Sequence, residues 1–371
     1  MLYRNLIMPK IKVATGLYSH WDSIIRIDKE ILKWIKNSEG VRPNNIVLNS
    51  LEEVIYTLKE SIKNGNSESL ITKKVYNELN SLFQKRELRI GGNGNYMGRV
   101  LLELGMKPLV SYPTRPEKLM MSSPEFGVAV KNKIKLPKDA IRKNDPEYDH
   151  IIFESDKWRN IMSWDLMSSQ GIFDEEFLKI AFEPKLTDVV IIGYAHLLLP
   201  KYKKRTDEII GLIHKKRPKI HLEMGLGSEI SMKYALEKFA EYGVCDSLGL
   251  DERECKVYFK SKSENKEDLT EASLNAIKDY NLKRICVHSP TFAFSISKYD
   301  LKKELDALRI GCLVASLKIS DKAGNQNGKI LKEKIGNYNF CLVPSFFVKN
   351  PKRITGVGDA FAAVQAVKIL S

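Results

Sequence analysis

The chain has 371 residues, of which 43% are hydrophobic and 9% aromatic. This length and composition allow one large buried core plus a smaller part, and they exclude a disordered protein. The first ten residues carry charge and proline too early for a secretory signal, and no apolar run reaches the ~18 residues that span a bilayer. We therefore expect a cytoplasmic protein with no membrane partner.

The net charge of +14 permits either a nucleic-acid binder or an enzyme that acts on anionic substrates. Lysines are interleaved with acids, as in K-S-K-S-E-N-K-E-D, and no arginine-rich tail or aromatic-basic RNA signature occurs. We therefore favour an enzyme and expect no nucleic-acid partner. The nucleic-acid binder remains an alternative that rests on charge alone, and its binding would weaken steeply with salt.

Short apolar runs rich in β-branched residues recur along the chain and have the length of buried strands. They lie at 11–15, 108–112, 188–194, 219–224, 245–250, 284–289, 311–317 and 339–344. Amphipathic stretches of helical length lie between several of them, for example at 231–242 and 269–280. This alternation predicts βαβ units on a mostly parallel sheet, whose ligands bind outside the carboxyl ends of the strands.

One region, residues 114–157, breaks this rhythm. It contains F-G-V-A-V-K-N-K-I-K-L-P and D-H-I-I-F-E-S, separated by a charged loop with a proline. Alternation of apolar and polar residues is typical of an exposed antiparallel sheet. We interpret this region as part of a small lid.

The strongest local signal is the stretch R-I-T-G-V-G-D-A-F-A-A-V, in which a glycine-rich turn opens into an apolar helix. Helix N-termini bind anions through unpaired N–H groups, so Gly356, Val357 and Gly358 are candidates for holding phosphoryl oxygens. Asp359 is a candidate base for an attacking hydroxyl, and the helix dipole predicts that its carboxylate is ionised at neutral pH. Considered alone, this stretch is explained about as well by a simple helix cap.

A second glycine cluster, R-I-G-G-N-G-N-Y-M-G, also runs from a loop into a helix. It lacks the lysine and Ser/Thr of a Walker A loop. Its glycines would let a substrate approach the backbone, and Asn93 is a candidate partner for a sugar hydroxyl. Close helix packing is the alternative, and we prefer that explanation for Gly98.

Two pairs of residues could hold a metal ion. His221 and Glu223 lie two apart on a predicted strand and should project to the same side near its end. Asp251 and Glu254 should be neighbours in the first turn of a helix, where either simple capping or magnesium bound through water would explain them.

Taken in this order, these segments resemble the ADP-dependent sugar kinases, the glucokinase and phosphofructokinase group of the ribokinase-like superfamily. The resemblance runs from about residue 11 to the end and is most specific in the C-terminal half. The family's complete H-x-E and G-x-G-D motifs are matched by His221 with Glu223 and by 356–359. Its N-x-x-E motif is matched by Asp251 and Glu254, with aspartate replacing asparagine.

Towards the N-terminus the match concerns residues that bind the sugar in this family. The counterparts are Asp22 after the first strand, Glu87 before the glycine loop, and Gly91, Gly92 and Asn93 within it, with asparagine replacing the family's glutamine.

The resemblance implies a three-layer α/β/α core with a smaller β-rich lid, built as a single domain over 1–371 with lid segments at about 17–30 and 114–157. It implies transfer of a phosphoryl group from ADP to glucose, fructose 6-phosphate or ribose 1-phosphate, with Mg²⁺ required and AMP released. Asp359 would be the base, and Glu223 with Glu254 would position the hydrated metal beside Asp251. Adenine would lie near 287–294 and 343–349.

Two further alternatives share this fold. An ATP-dependent ribokinase-type enzyme also carries G-x-G-D, although the H-x-E and D-x-x-E pairs argue against it. A non-catalytic binder of sugar or nucleotide is disfavoured by the intact Asp359.

Overall fold

The computed structural model describes residues 8–371 except 46, 166, 168, 169, 195–200, 214–216, 226, 227, 321, 350 and 352–354. The α-helices of the described residues are α1 (Lys29–Asn37), α2 (Leu51–Asn64), α3 (Lys73–Leu82), α4 (Asn93–Glu103), α5 (Glu117–Ser122), α6 (Glu175–Ala181), α7 (Tyr202–Gly211), α8 (Glu229–Glu241), α9 (Glu252–Phe259), α10 (Lys266–Asp279), α11 (Leu301–Ile319) and α12 (Val357–Leu370). None of these helices is both long and apolar enough to cross a membrane.

The strands up to the end of the small sheet are β1 (Val13–Gly16), β2 (His20–Arg26), β3 (Val47–Leu48), β4 (Ser67–Ile71), β5 (Glu87–Gly91), β6 (Leu109–Val110), β7 (Val128–Val130), β8 (Lys133–Lys135), β9 (Asp149–Glu154) and β10 (Arg159–Ser163). The later strands are β11 (Val189–Tyr194), β12 (Lys219–Met224), β13 (Ser247–Asp251), β14 (Arg284–His288), β15 (Phe292–Ser297), β16 (Asn325–Gln326), β17 (Leu331–Ile335), β18 (Tyr338–Pro344) and β19 (Phe346–Phe347).

The core is a nine-stranded sheet in the order β17-β18-β15-β14-β13-β12-β11-β1-β6. The strands from β6 to β14 in this order run parallel, and β15, β18 and β17 pair antiparallel at one edge. Alternate residues of β11 face opposite layers: Val190 and Ile192 pack with α6–α10, whereas Val189 and Ile191 pack with α4, α11 and α12. The predicted three-layer α/β/α core is confirmed.

A six-stranded sheet in the order β3-β4-β10-β9-β2-β5 forms the lid. Its strands come from residues 20–91 and 149–163, so the lid takes much more of the N-terminal third than the expected segment 17–30. Helices α1, α2 and α3 supply its own apolar core through residues such as Ile35, Leu58 and Leu79.

Most of the second expected lid segment, 114–157, lies elsewhere. Only Asp149–Glu154 belongs to the lid sheet, while β7 and β8 form a separate hairpin against the β6 edge of the large sheet. Arg115 anchors this segment through a buried ion pair with Asp174 at 2.8 Å, next to the N-terminus of α6. The expected antiparallel pairing is present between β7 and β8. It is only partly present at β9, which is mostly buried and pairs antiparallel with β10 but parallel with β2.

The strand predicted at 311–317 is wrong, because these residues lie in the long helix α11. The helix is buried against α12, and at Gly311 a Cβ would meet the ring of Phe361 at 2.9 Å. Residues 311–317 carry no charge, and the pattern of so short an apolar run does not distinguish a segment of helix from a buried strand.

An ion pair lies beneath the large sheet, where Arg284 at the start of β14 meets Glu304 of α11. Both side chains are fully buried, and the guanidinium Nε lies 2.8 Å from Glu304 Oε1. Ser295 donates to Glu304 Oε2 at 2.7 Å, and Arg284 Nη1 donates to Ser247 at 2.8 Å. Burying a charge is tolerated only where partners of this kind satisfy it.

We predict that Glu304→Gln lowers the free energy of unfolding by about 3–5 kcal/mol, because it leaves the Arg284 charge buried and uncompensated. Urea unfolding followed by circular dichroism measures the change. The matched control is Glu241→Gln, which removes an exposed partner of Lys238 and should leave the free energy of unfolding essentially unchanged. Equal stability of the two variants would show that the buried pair does not hold the sheet and helix together.

Candidate active site

A cavity of about 270 Å³ lies between the lid and the large sheet. On the core side it is lined by residues at the carboxyl ends of β11, β12, β13 and β14, as expected for a parallel sheet. On the lid side it is lined by residues of β2, β4, β9 and β10. The N-terminus of α12 closes one wall with Thr355–Asp359.

The predicted glycine turn into a helix is present at the start of α12. Gly356 caps the helix with a φ of +78°, and a Cβ there would meet the ring of Tyr96 at 2.7 Å. Only glycine combines this backbone conformation with such close contact. Gly358 lies close to His288, whose Cε1 would be 3.1 Å from an added Cβ. The turn therefore presents backbone to the cavity without a covering side chain.

Asp359 lines this cavity in the first turn of α12, but its pKa is higher than the helix dipole alone would predict. Burial raises the pKa of Asp359 to about 7, which the positive charge of Arg159 opposes and the negative charge of Glu223 reinforces. Burial outweighs the dipole here because it penalises the charged form directly. Asp359 thus titrates near neutrality, where a carboxyl can both accept and return a proton.

Glu223 behaves in the opposite way. Its Oε1 lies 2.8 Å from His288 Nε2, and its Oε2 lies 3.2 Å from His221 Nε2. Burial opposes ionisation, but the hydrogen bonds from both histidines prevail and lower the pKa of Glu223 to about 2. The pKa of His288 is correspondingly raised to about 9 against burial, because Glu223 accepts from its ring and attracts its charge. The cavity therefore contains a fixed carboxylate paired with an imidazolium.

His221 is held neutral beneath this pair. The Glu223 carboxylate can only accept, so the proton of the neutral His221 ring lies on Nε2. Nδ1 then accepts from the Ser247 hydroxyl at 2.9 Å, and Ser247 itself accepts from Arg284 at 2.8 Å. Burial lowers the pKa of His221. In this tautomer Gln365 has to turn its amide oxygen, not its nitrogen, towards Nε2. The prediction that His221 and Glu223 project to the same side of a strand is confirmed.

Asp251 and Glu254 are neighbours in the first turn of α9, as predicted, and they form a reciprocal capping box. Asp251 Oδ1 accepts from the Glu254 N–H at 2.8 Å, and Glu254 Oε2 accepts from the Asp251 N–H at 2.8 Å. Arg253 compensates the extra charge of the aspartate by donating to Asp251 Oδ2 at 2.7 Å. Burial and the neighbouring Asp251 charge raise the pKa of Glu254 well above its ordinary value.

These carboxylates fit the family's magnesium ion. Burial and the charges of Asp251 and Glu223 raise the pKa of Glu254, so a cation beside it would stabilise its ionised form, and oxygen ligands are those that Mg²⁺ prefers. Glu223, Asp251 and Glu254 do not bring three ligand atoms within 4.8 Å of one another, so an ion held by all three would be bound partly through water.

At the lid end of the cavity, Asp22 accepts from the Tyr96 hydroxyl at 3.1 Å and packs against Gly91, where a Cβ would lie 2.0 Å from its carboxylate. Gly92 also lines the cavity, with a φ of +85°. Asn93 lines it too, but its amide is engaged, since it accepts from Tyr18 N at 3.1 Å and donates to Gly193 O at 2.7 Å.

Glu87 does not reach the cavity. Its side chain is 52% exposed on the edge strand β5 and pairs with Arg89 at 2.6 Å. The cavity instead contains Glu68, Tyr96, Arg159 and His288, which sequence reasoning missed. His288 was detectable, because it ends the predicted strand 284–289. The lid residues were not, because the pairing of β4 with β10 that places them has no local signal.

The fold and cavity define a kinase-like α/β protein, and comparisons with known proteins give its family. The conserved region of ADP-specific phosphofructokinases and glucokinases matches residues 11–335, so the chain belongs to this family of ADP-dependent sugar kinases. It is 22% identical over 447 aligned positions to the ADP-dependent glucose/glucosamine kinase of Pyrococcus furiosus, covering 98% of this chain and 96% of that protein.

Solved structures agree in fold. An ADP-dependent kinase in complex with fructose 6-phosphate and ADPβS superposes with a TM-score of 0.77 at 16% identity, covering 96% of this chain and 93% of that one. A hypothetical ADP-dependent phosphofructokinase from Pyrococcus horikoshii gives a TM-score of 0.74 at 17% identity, covering 98% of both chains. These likenesses bear out the α/β core with a smaller lid that the resemblance implied.

We predict that Glu223→Gln lowers the pKa of His288 from about 9 towards its ordinary value of about 6.5, because it removes the negative charge that stabilises the imidazolium. NMR titration of the imidazole Cε1 proton measures this pKa. Glu252→Gln is the matched control: it also removes a nearby negative charge, but one without a hydrogen bond to His288, so it should lower the pKa less. An unchanged pKa in Glu223→Gln would contradict the ion pair.

Proposed function

We propose that this protein transfers the terminal phosphoryl group of ADP to a hydroxyl of a sugar or sugar phosphate and releases AMP. The observation that carries the proposal is Asp359, which faces the cavity beside the exposed amides of a helix N-terminus and has a pKa of about 7. A base with this pKa next to an anion-binding turn suits phosphoryl transfer to an alcohol.

In the proposed reaction Asp359 takes the proton of the acceptor hydroxyl as its oxygen attacks the terminal phosphorus of ADP. The new O–P bond forms as the bond from that phosphorus to the bridging oxygen breaks, and AMP leaves with the electron pair. The N–H groups at the start of α12 donate to the migrating phosphoryl oxygens. Arg159 and the His288 imidazolium add positive charge from the lid and the core.

Mg²⁺ would neutralise charge on the phosphates when bound, and Glu223, Asp251 and Glu254 are the residues that would hold it through water. Glu223 is already ionised, with a pKa of about 2. His221 and His288 orient its two oxygens and leave further lone pairs for water.

The acceptor would lie at the lid end, where the Asp22 carboxylate can accept from sugar hydroxyls. The relative from Pyrococcus furiosus is a glucose/glucosamine kinase, and the similar solved kinase binds fructose 6-phosphate. Together they support a sugar or sugar phosphate, such as glucose, fructose 6-phosphate or ribose 1-phosphate, as the acceptor class.

A donor-by-acceptor screen tests this proposal. We expect ADP to support faster turnover than ATP with at least one of glucose, fructose 6-phosphate and ribose 1-phosphate, measured as release of the sugar phosphate and AMP. The reaction should require Mg²⁺ and stop on chelation. Preference for ATP would instead support the ribokinase-type alternative, and no turnover with any pair would support a non-catalytic binder.

We predict that Asp359→Asn binds both substrates and loses at least about 10²-fold in turnover, because asparagine keeps the shape and the helix start but cannot accept a proton. Single-turnover rates and calorimetric binding of donor and acceptor separate the two effects. Near-normal turnover in this variant would leave Asp359 as an ordinary helix cap and end the proposed mechanism.

The pH profile gives the same prediction a second readout. In the wild type, kcat/KM should rise with pH through about 7 as Asp359 ionises. In Arg159→Met that limb should move to higher pH, because Arg159 lowers the pKa of Asp359 and its removal leaves burial less opposed. A limb that does not move would mean that another group controls the profile.

A further inference from the structure

A hydrogen bond joins the lid to the residue that precedes the glycine turn of the cavity. Thr355 Oγ1 donates to Glu154 Oε1 at 2.7 Å, and the two residues are 5% and 1% exposed. Glu154 ends the lid strand β9, whereas Thr355 comes directly before Gly356, the N-cap residue of α12. The bond therefore connects two parts of the chain that lie 201 residues apart.

The Thr355 hydroxyl does not cap the helix beside it. A threonine or serine at a helix start usually accepts from the first N–H groups of that helix. Here the N-cap is Gly356, which has no side chain, and no side-chain hydrogen bond caps α12. The first N–H groups of the helix are therefore left for an anion, while the hydroxyl beside them is committed to the lid.

Glu154 is held on its other side by the lid. Its Oε2 lies 2.7 Å from Nη1 of Arg26, which is directly opposite it on β2, and 3.8 Å from Arg89 Nη1. The contact with Arg26 is an ion pair without hydrogen-bond geometry, so Thr355 is the hydrogen-bond donor to this carboxylate within the described residues. Because a buried carboxylate without a donor is costly, the bond favours one position of the turn relative to the lid.

We propose that Thr355 and Glu154 are positioning residues, which hold the glycine turn where its N–H groups meet the migrating phosphoryl group only while the lid is in place. Strand β2 carries both Asp22, at the acceptor end, and Arg26, which pairs with Glu154. The lid strand at the acceptor is therefore linked to the turn at the donor. Their role in catalysis rests on the proposed function, whereas the contact between lid and turn can be tested without turnover.

The first test is kinetic. Thr355→Val keeps the shape of the side chain and removes the hydroxyl, so kcat should fall about tenfold or more, while the KM values of donor and acceptor change less than about threefold. The kcat responds more because the N–H groups of the turn act mainly on the transition state. Thr355→Ser keeps the hydroxyl and should keep kcat within about twofold of the wild type. A wild-type kcat in Thr355→Val would overturn the proposal.

A double-mutant cycle tests whether the two residues act through one bond. Glu154→Leu removes the acceptor and leaves Arg26, whose side chain is 43% exposed, in contact with water. Combined with Thr355→Val it should lower kcat no more than about the larger of the two single losses. Losses that multiply would show that the two residues act independently and would contradict the proposal.

Thr187→Val is the matched control. Its hydroxyl is also buried and donates to Ile180 O at 3.4 Å, but it lies just before β11, at the opposite end of that strand from the cavity. This variant should have a lower melting temperature and the kcat of the wild type. A loss of kcat as large as that of Thr355→Val would attribute both losses to stability and overturn the proposal.

Hydrogen exchange, measured by mass spectrometry on the unliganded full chain, does not depend on turnover. The peptides that cover 355–361 and β9 should exchange about tenfold faster in Thr355→Val than in the wild type or Thr355→Ser. Unchanged exchange in both peptides would overturn the proposal, and so would faster exchange with a wild-type kcat. Faster exchange in a protein without kinase turnover would reject the proposed function and still support the coupling of lid and turn.

Discussion

The organisation of the cavity depends on one constraint, which is that the Glu223 carboxylate has to stay ionised while buried at the end of β12. A chain of hydrogen-bonded polar groups offsets the free-energy cost of burying this charge. Glu304 fixes Arg284, Arg284 donates to Ser247, and Ser247 donates to His221, which leaves His221 only one proton to offer, directed at Glu223. These hydrogen bonds connect the buried Arg284–Glu304 ion pair to the cavity, and the histidines His221 and His288 stabilise the Glu223 charge directly.

Two carboxyls that line one cavity therefore have pKa values shifted in opposite directions. Glu223 receives hydrogen bonds from two imidazoles and has a pKa of about 2, whereas the pKa of Asp359 is raised to about 7 by desolvation and by the negative charges of Glu223 and Glu68, against the positive charge of Arg159. Desolvation raises both pKa values, and the neighbouring donors and charges make the difference. Separation of this kind gives one carboxyl a permanent charge and the other an exchangeable proton.

Much of this arrangement was predictable from local sequence, because strand ends, a glycine turn and two-residue spacing on a strand are local features. His288 followed a predicted strand and could have been found by the same rule. Tyr96 lies in α4, three residues after Asn93 in the predicted glycine cluster, so it too had a local signal. Arg159 had none, since its position depends on how lid strands pair across long separations. The strand expected at 311–317 was wrong because so short an apolar run cannot be distinguished by its pattern from a buried strand. The helix dipole alone did not indicate that burial raises the pKa of Asp359 to about 7, because burial depth is not a local property.

The lid is also joined directly to the glycine turn at the start of α12. Thr355, beside the glycine turn, donates to Glu154 at the end of lid strand β9 at 2.7 Å, and Arg253 of α9 donates to the backbone oxygen of Asn66 at 3.0 Å. Tyr96 contacts both Gly356 and the Asp22 carboxylate. The first two contacts each join a residue of the core to one of the lid, and Tyr96 contacts both. The buried Glu154 carboxylate also pairs with Arg26 of β2 at 2.7 Å, so its hydrogen bond from Thr355 ties the glycine turn at the start of α12 to two strands of the lid.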